Sequence, residues 1–248
     1  MTLDFMPIGY GTIGLARAGS VAIVRLQRAG RLNAYTPEMG EDLVRAFELT
    51  AADPDIAAVV VTGEGQAFCA GADKDCFSGS PGPSGLGLGE EAFVRGYARK
   101  IRNHPKLTIA AFNGVAVGIG VTMSLPMDIR LASTGAALKL NFAELGIMPG
   151  FGATYFLPHL VGLGQTKKLL LCENRIDAAR ALEIGLVDEV VDDAQLLERA
   201  LALGNAAATL KPHVRSAIKE ALNAGAEGGF EAALVAEAAS NLRRGAQQ

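Results

Sequence analysis

The sequence lacks the residues and patterns that mark several common protein classes. It has no tryptophan, three histidines and three cysteines among 248 residues. The odd number of cysteines (Cys69, Cys76 and Cys172), without metal-type spacing, is typical of reduced thiols in an intracellular protein. The formal net charge is -3 and no basic block occurs. This balance argues against non-specific nucleic-acid binding, which needs concentrated lysine and arginine.

Membrane and export patterns are also missing. No run approaches the roughly 18 apolar residues that span a bilayer. The first residues, from Met1 to Phe5, lack the basic start and apolar stretch of a signal peptide. We therefore expect a cytoplasmic protein with neither nucleic acid nor membrane as partner. Its 50% hydrophobic and 20% charged residues suit a globular core.

The common catalytic and cofactor motifs are absent or misplaced. Neither a GxSxG elbow nor a HExxH helix occurs. Residues 9–14 read GxGxxG, but a strand pattern follows where a dinucleotide site needs a helix N-terminus. The histidines His104, His159 and His213 are far apart in sequence. We interpret them as surface or loop residues rather than catalytic bases.

Hydrophobic patterns predict an α/β fold in the first half of the chain. Strands are expected at residues 20–26, 57–62 and 107–112. A helix begins after Thr36, with Pro37 at its first position, and ends near Asp53. This strand–helix–strand order favours parallel pairing, with helices packed on the sheet.

The second half is predicted to be mainly helical after residue 176. Asp177 is expected to cap a helix over residues 178–184 that ends at Gly185, and further helices are expected at 194–208, 213–223 and 230–242. Residues 78–89 are rich in glycine, proline and serine and are predicted to form a mobile loop. It is either a flap over a site or a plain surface insertion.

Two glycine-rich segments predict an oxyanion hole. Residues 68–73 (FCAGAD) follow a strand, and Gly71 lets the backbone approach a ligand closely. The Gly118–Gly120 turn is expected to open a helix over residues 121–127. The Ile119 N–H would then lie at the N-terminus of this helix, where the dipole favours negative charge, and the N–H groups of Ala72 and Ile119 would donate to one carbonyl oxygen. Either segment alone is also consistent with an ordinary tight turn.

Together these segments resemble the signatures of the crotonase (enoyl-CoA hydratase/isomerase) superfamily. Residues 31–34 are similar to the family's early CoA-contacting loop, and residues 145–154 to its LG-x-x-P turn. The resemblance implies a spiral of ββα units over residues 1–191 and a C-terminal helical trimerisation region over 192–248. It also implies acyl-CoA thioester substrates, a homotrimer or dimer of trimers, and no cofactor beyond the coenzyme A of the substrate.

The resemblance also assigns roles to individual positions. Ala72 and Ile119 are the expected catalytic donors, and a third expected catalytic residue, Glu144, follows from the residues themselves and not from the resemblance. The expected substrate and CoA contacts are Arg31, Leu32, Ala34, Ala70, Gly71, Asp73, Gly118, Thr122 and Phe142.

The acids that the family's reactions need are missing from their usual positions. Hydration requires one carboxylate to activate water and a second group to deliver a proton. Thr122 and Phe142 stand where a hydratase of this family carries its two glutamates, and Gly150 stands where several isomerases carry an acid. The nearest remaining acid is Glu144, which is either a base whose pKa is raised by burial or a solvated turn residue. Weaker candidates on the loop side are Asp73, Asp75, Glu90 and Glu91.

Our leading hypothesis is an enzyme that acts on an acyl-CoA thioester through an enolate. With one candidate carboxylate, double-bond isomerisation is easier to sustain than hydration. The alternatives are an acyl-CoA-binding protein that has lost its chemistry, and a less common reaction such as thioester hydrolysis or decarboxylation.

Overall fold

The computed structural model describes the backbone of residues 3–245 and the side chains of residues 3–240. Within this range the strands form two sheets, and we number strands and helices in chain order. The strands are β1 (Met6–Ile8), β2 (Ile13–Ala18), β3 (Val21–Leu26), β4 (Ala58–Gly63), β5 (Ala67–Cys69), β6 (Leu107–Phe112), β7 (Val115–Val117), β8 (Ile129–Ser133), β9 (Ala137–Lys139), β10 (Arg175–Asp177) and β11 (Glu189–Val191).

The larger sheet confirms the parallel pairing predicted from the sequence. Its order is β1-β2-β3-β4-β6-β8-β11, and the strands from β3 to β11 run parallel. The smaller sheet has the order β10-β9-β7-β5, with β5, β7 and β9 parallel. From β4 to β9, successive strands therefore alternate between the two sheets, and the mixed α/β fold expected from the sequence is observed.

The helices are α1 (Pro37–Ala52), α2 (Lys74–Phe77), α3 (Ala92–Arg102), α4 (Ile119–Thr122), α5 (Ala153–Leu171), α6 (Ala178–Glu183), α7 (Leu196–Ala208) and α8 (Pro212–Gly245). Non-helical backbone interrupts α5 at Gly162 and α8 at Gly229. The predicted caps are observed, because the side chains of Thr36 and Asp177 accept N–H groups at the starts of α1 and α6. None of these helices has the length and apolarity that crossing a bilayer requires.

The GxGxxG segment forms a hairpin turn between β1 and β2. The carboxylate of Asp42 accepts hydrogen bonds from the N–H of Tyr10, and from the N–H and hydroxyl of Thr12. Gly9 has a φ of +54°, and a Cβ there would lie 2.1 Å from Asp42 Oδ1. These glycines therefore serve a tight turn over a buried carboxylate.

The C-terminal helices contact the sheet as well as each other. Leu196 and Ala200 of α7 are buried against Val21, Ala58 and Val60 of the larger sheet. The Lys219 ammonium of α8 donates to Asp128 at 2.6 Å. The predicted boundary after residue 191, with a separate trimerisation region, stays a prediction.

Candidate active site

The smaller sheet brings the two glycine-rich segments together. β5 and β7 are parallel neighbours, with Ala67 beside Val115 and Cys69 beside Ala116. Carboxyl ends of parallel strands meet at one edge of a sheet, so the residues that follow β5 and β7 emerge side by side. The residues 70–72 and 118–120, which are 46 or more positions apart in sequence, therefore form one site.

Glycine is required where the two segments touch. A Cβ on Gly120 would lie 2.3 Å from the carbonyl oxygen of Cys69, far inside van der Waals contact. Gly71 has a φ of +96° and its Cβ would meet the carbonyl of Val117 at 3.2 Å. Gly118 has a φ of +53°, in the region that favours glycine. The close approach of the two backbones thus depends on these side chains being absent.

The amide N–H groups of Ala72 and Ile119 have no acceptor among the described residues. Ala72 is bridged in parallel to Tyr35: the Tyr35 N–H donates to Gly71 O, and the Asp73 N–H donates to Tyr35 O, both at 2.8 Å. That pattern leaves the N–H of Ala72 itself unused. Ile119 is the first residue of α4, where an N–H has no intrahelical partner. Two free donors therefore lie at the same site.

The helix that begins at Ile119 is shorter than predicted. α4 ends at Thr122, and irregular turns occupy most of the predicted range of residues 121–127. A helix of one turn carries little macrodipole, so the predicted dipole contribution is wrong. The hydrogen-bond donor at this position is therefore the Ile119 N–H itself.

These segments line a cavity of about 590 Å³. Seven of the predicted site residues contribute to its wall: Ala70, Gly71, Ala72, Gly118, Ile119, Thr122 and Phe142. Most of the rest of the wall is apolar and comes from α2, α3, the 78–89 loop and the 145–151 turn: Phe77, Leu88, Val94, Leu145, Ile147, Met148 and Phe151. The sequence did not show that α3 and these loops converge there.

The polar side chains of the cavity are Lys74, Thr122 and Asn141, and no carboxylate or histidine is among its described lining residues. Thr122 is 1% exposed and contributes to this wall. Lys74 and Asn141 were missed in the sequence, because nothing in their local pattern distinguishes them from surface residues. These side chains can hydrogen-bond a ligand and attract an anionic group. The described lining residues include no carboxylate or histidine that could act as a base.

The segment around Arg31 supports the site from outside the cavity. The Leu32 carbonyl accepts the Ala70 N–H at 3.0 Å, and the Ala34 carbonyl accepts from Arg28. Leu32 is itself half exposed. Arg31 is exposed, pairs with Asp75, and lines a neighbouring cavity of about 400 Å³. Its guanidinium is thus accessible for an anionic group.

Asp73 is a structural residue that holds residues 70–73 in place. Its carboxylate is buried, pairs with Arg28 at 2.9 Å and accepts the Asp75 N–H at 3.1 Å. Burial acts to raise the pKa of Asp73, but the hydrogen bond and charge of Arg28 hold it below its ordinary value. A carboxylate whose pKa is lowered is a poor base. Arg28, which sequence reasoning missed, fixes both Asp73 and the Ala34 carbonyl.

Glu144 does not have the environment predicted for it. Its side chain is 51% exposed, lies 3.0 Å from Lys139 Nζ, and also accepts from Asn174. The hydrogen bonds from Lys139 and Asn174 lower the pKa of Glu144, so the predicted rise in pKa is wrong. The neighbours Phe142 and Leu145 line the cavity and Glu144 does not. The rule that residues two apart share a face holds for strands and does not apply in this turn, where Phe142 lines the cavity and Glu144 does not.

The other acids considered on the loop side do not line the cavity either. Asp75 pairs with Arg31 on the surface, and Glu90 accepts the Gly87 N–H within the loop. Glu91 is fully buried and accepts from the hydroxyl of Tyr35 at 2.7 Å.

The histidines lie elsewhere. His104 is a buried loop residue, and burial lowers its pKa to about 4. His159 is exposed on α5 and bonds the Tyr155 carbonyl, and His213 is exposed on α8. Across residues 3–240, no three His, Cys, Asp or Glu side chains are grouped so that they could hold a metal ion.

Comparison with known proteins agrees with this geometry. The family model for enoyl-CoA hydratase/isomerase matches residues 16–245. The 1,2-epoxyphenylacetyl-CoA isomerase of Escherichia coli K12 is 35% identical, covering 82% of this chain and 78% of that protein. The short-chain-enoyl-CoA hydratase of Clostridium acetobutylicum is 34% identical, covering 90% and 85%.

Solved structures show the same relationship. The enoyl-CoA hydratase of Bacillus anthracis superposes with a TM-score of 0.86 at 31% identity, covering 93% of this chain and 89% of that one. A Thermobifida fusca YX protein described as an enoyl-CoA hydratase, solved in complex with acetoacetyl-CoA, superposes with a TM-score of 0.83 at 30% identity, covering 96% of each chain. The chain therefore belongs to the enoyl-CoA hydratase/isomerase family.

Proposed function

We propose that this protein binds an acyl-CoA thioester and stabilises the enolate that forms when the bond to its α-carbon is broken. The thioester oxygen accepts hydrogen bonds from the N–H groups of Ala72 and Ile119. The observation that carries this proposal is that both N–H groups are free and that both residues line one cavity. Removing one such donor in comparable sites costs roughly 3–4 kcal/mol in the barrier.

The nucleotide end of coenzyme A is proposed to lie near Arg31. The exposed guanidinium of Arg31 can leave Asp75 for a phosphate, because a surface ion pair in water is worth only about 0–1 kcal/mol. Arginine binds phosphate through paired N–H donors. The Leu32 carbonyl supports Ala70, and the Ala34 carbonyl supports Arg28, which pairs with Asp73. We propose no side-chain contact with substrate for Leu32 or Ala34.

The reaction we propose is double-bond isomerisation, in which one group moves a proton between the α and γ carbons. Two-acid hydration has little support, because Thr122 and Phe142 occupy the wall where its carboxylates would lie. Glu144 remains the candidate for proton transfer, since its neighbour Leu145 is in the cavity wall. To transfer a proton, the Glu144 carboxylate must break its contacts with Lys139 and Asn174 and contact the substrate instead.

A second candidate follows from the absence of acids among the described lining residues. Decarboxylation of a malonyl-type thioester needs no general base: the bond from the α-carbon to the carboxylate breaks, carbon dioxide leaves, and the electron pair becomes the enolate. The apolar wall disfavours a carboxylate and favours neutral carbon dioxide. Lys74 is the charged group of the wall that can attract such a substrate.

The first experiment offers the protein 2-enoyl-, 3-enoyl- and malonyl-type CoA thioesters and follows absorbance of the conjugated enoyl group, carbon dioxide and free CoA. Gain of absorbance from the 3-enoyl substrate supports isomerisation, and its loss from the 2-enoyl substrate would show hydration. Carbon dioxide release selects decarboxylation, and free CoA without it selects thioester hydrolysis. Binding without turnover selects an acyl-CoA-binding protein, and absence of binding refutes the proposal.

The role of Glu144 is tested with Glu144→Gln, which keeps the shape and removes the base. If Glu144 transfers the proton, turnover falls by about 10²-fold or more. Glu173→Gln is the matched control, since Glu173 also lies on the surface and pairs with a lysine, Lys168, at 3.0 Å. Unchanged turnover in Glu144→Gln would remove it from the mechanism.

The predicted homotrimer or dimer of trimers is also a proposal. Several large apolar side chains of α8 are more than half exposed in the single chain: Ile218, Leu222, Phe230 and Val235. Such exposure on one helix favours contact with another copy.

A further inference from the structure

The loop of residues 78–89 forms part of the cavity wall. Leu88 and Gly89, at its end, line the cavity together with Phe77, which precedes it, and Val94 of α3, which follows. The flap interpretation of this loop is therefore supported over a plain surface insertion. The position of the loop sets how much of the cavity an acyl chain can occupy.

Two buried carboxylates hold this loop. Glu38 of α1 is 3% exposed and accepts the N–H and hydroxyl of Ser84 at 3.0 and 2.6 Å. Glu91 is 0% exposed and accepts the Gly89 N–H at 2.8 Å. Gly82 packs directly on Glu38, because a Cβ there would lie 2.3 Å from its carboxylate. Buried carboxylates are costly unless hydrogen-bonded, so these contacts resist loss.

Tyr35 connects the loop to residues 70–73, which include the Ala72 donor. Its backbone bonds Gly71 O and the Asp73 N–H, on either side of Ala72. Its hydroxyl donates to the second oxygen of Glu91 at 2.7 Å. Burial, with the charge and hydrogen bond of Glu91, raises the pKa of Tyr35 well above its ordinary value, so the hydroxyl stays a donor.

The fit around this pair leaves little room for adjustment. A Cβ on Gly40 of α1 would lie 2.3 Å from the Tyr35 hydroxyl and 2.9 Å from Glu91 Cγ. Tyr35 packs on Phe93 with ring centroids 6.0 Å apart, and Phe93 packs on Phe151 of the cavity wall at 4.7 Å. Tyr35 therefore connects the Ala72 segment to the wall by two routes, through Phe93 to Phe151 and through Glu91 to Gly89.

We infer that Tyr35 and Glu91 are positioning residues that fix the distance from the Ala72 N–H to the Leu88–Gly89 wall, and so determine the acyl-chain length that the cavity accepts. Glu38 fixes the middle of the same loop. This inference rests on the proposed function, because it assumes that an acyl chain occupies the cavity.

The test compares Tyr35→Phe and Glu91→Gln with the unmodified protein. Calorimetric titration with butyryl-, octanoyl- and dodecanoyl-CoA gives the ratio of long-chain to short-chain affinity. Limited proteolysis measures exposure of residues 78–89. We expect the affinity ratio to change by about tenfold and the rate of loop cleavage to rise by about tenfold, because each variant loses one charge-assisted hydrogen bond. The control is Glu48, a surface acid on α1 that pairs with Lys100. Glu48→Gln should change neither the affinity ratio nor the rate of loop cleavage.

The outcomes separate this inference from the proposed function. If the unmodified protein binds none of the three thioesters, the proposed function fails, while proteolysis still tests the link between Tyr35, Glu91 and the loop. If it binds them and both variants keep its affinity ratio within twofold, the inference is overturned. Thermal unfolding shows whether each variant folds. If Tyr35→Phe or Glu91→Gln does not fold, Glu38→Gln, which removes charge at the separate Ser84 contact, tests the inference by the same affinity ratio and the same loop cleavage.

Discussion

Replacing Gly120 with alanine should misalign the proposed oxyanion hole without adding or removing a polar group. The new Cβ would lie 2.3 Å from the Cys69 carbonyl oxygen and 2.9 Å from Cys69 Cβ. Carbon and carbonyl oxygen normally stay at least about 3.3 Å apart, so the two segments must separate by about 1 Å. Cys69 is fully buried. Ile119, whose N–H is one of the two donors, directly precedes Gly120. Both donors therefore shift relative to one another.

A displacement of about 1 Å at a reacting centre can cost about 10²-fold in rate, equivalent to about 2.7 kcal/mol. The assay uses acetoacetyl-CoA, whose enolate absorbs at longer wavelength than its keto form. The unmodified protein should increase the enolate fraction of the bound ligand, and Gly120→Ala should lose most of that increase. This readout requires no knowledge of the natural reaction or of the group that moves the proton.

The control is Gly96→Ala in α3, where a Cβ meets nothing within 4 Å. That change should stabilise the helix by roughly 0.5–1 kcal/mol and leave the enolate signal unchanged. Gly120→Ala should lower the free energy of unfolding by about 1–3 kcal/mol through overpacking, so thermal unfolding must accompany the assay. A folded Gly120→Ala protein with the full enolate signal would refute the argument that this contact aligns the donors.

Two further predictions concern groups outside the cavity. Burial lowers the pKa of His104 to about 4, below the ordinary value of 6.5, so its contribution to stability is complete above pH 6.5 and is lost as the pH falls toward 4. Nuclear magnetic resonance should find its ring neutral at pH 5, and a ring charged at pH 6 would contradict this. An alkylating reagent should modify exposed Cys172 quickly, Cys76 more slowly and Cys69 only on unfolding, because Cys69 is fully buried and burial raises its pKa to about 12. Mass spectrometry would detect the order, and rapid labelling of Cys69 in the folded protein would contradict it.

Local pattern was enough to predict the elements that carry the site. Strands β3, β4 and β6 and helix α1 are close to the predicted ranges, because continuous apolar runs and the Thr36-Pro37 start reflect interactions within a few residues. The two glycine-rich segments were also identified from the sequence. Glycine at a positive φ or at a close backbone contact, as at Gly71 and Gly120, leaves a visible signature in the sequence.

Other features of the site were decided by tertiary structure alone. The Glu144 carboxylate pairs with Lys139 and Asn174 rather than entering an apolar pocket, because the turn there follows neither helical nor strand periodicity. The link from Tyr35 to Glu91 joins residues 56 positions apart, and each would pass for an ordinary residue of its own segment. The sequence by itself determined the family, three strands of the larger sheet and the two segments that carry the backbone donors. Which side chains face the cavity, and that no acid does so among the described lining residues, depended on how loops and helices pack over distances that no local pattern encodes.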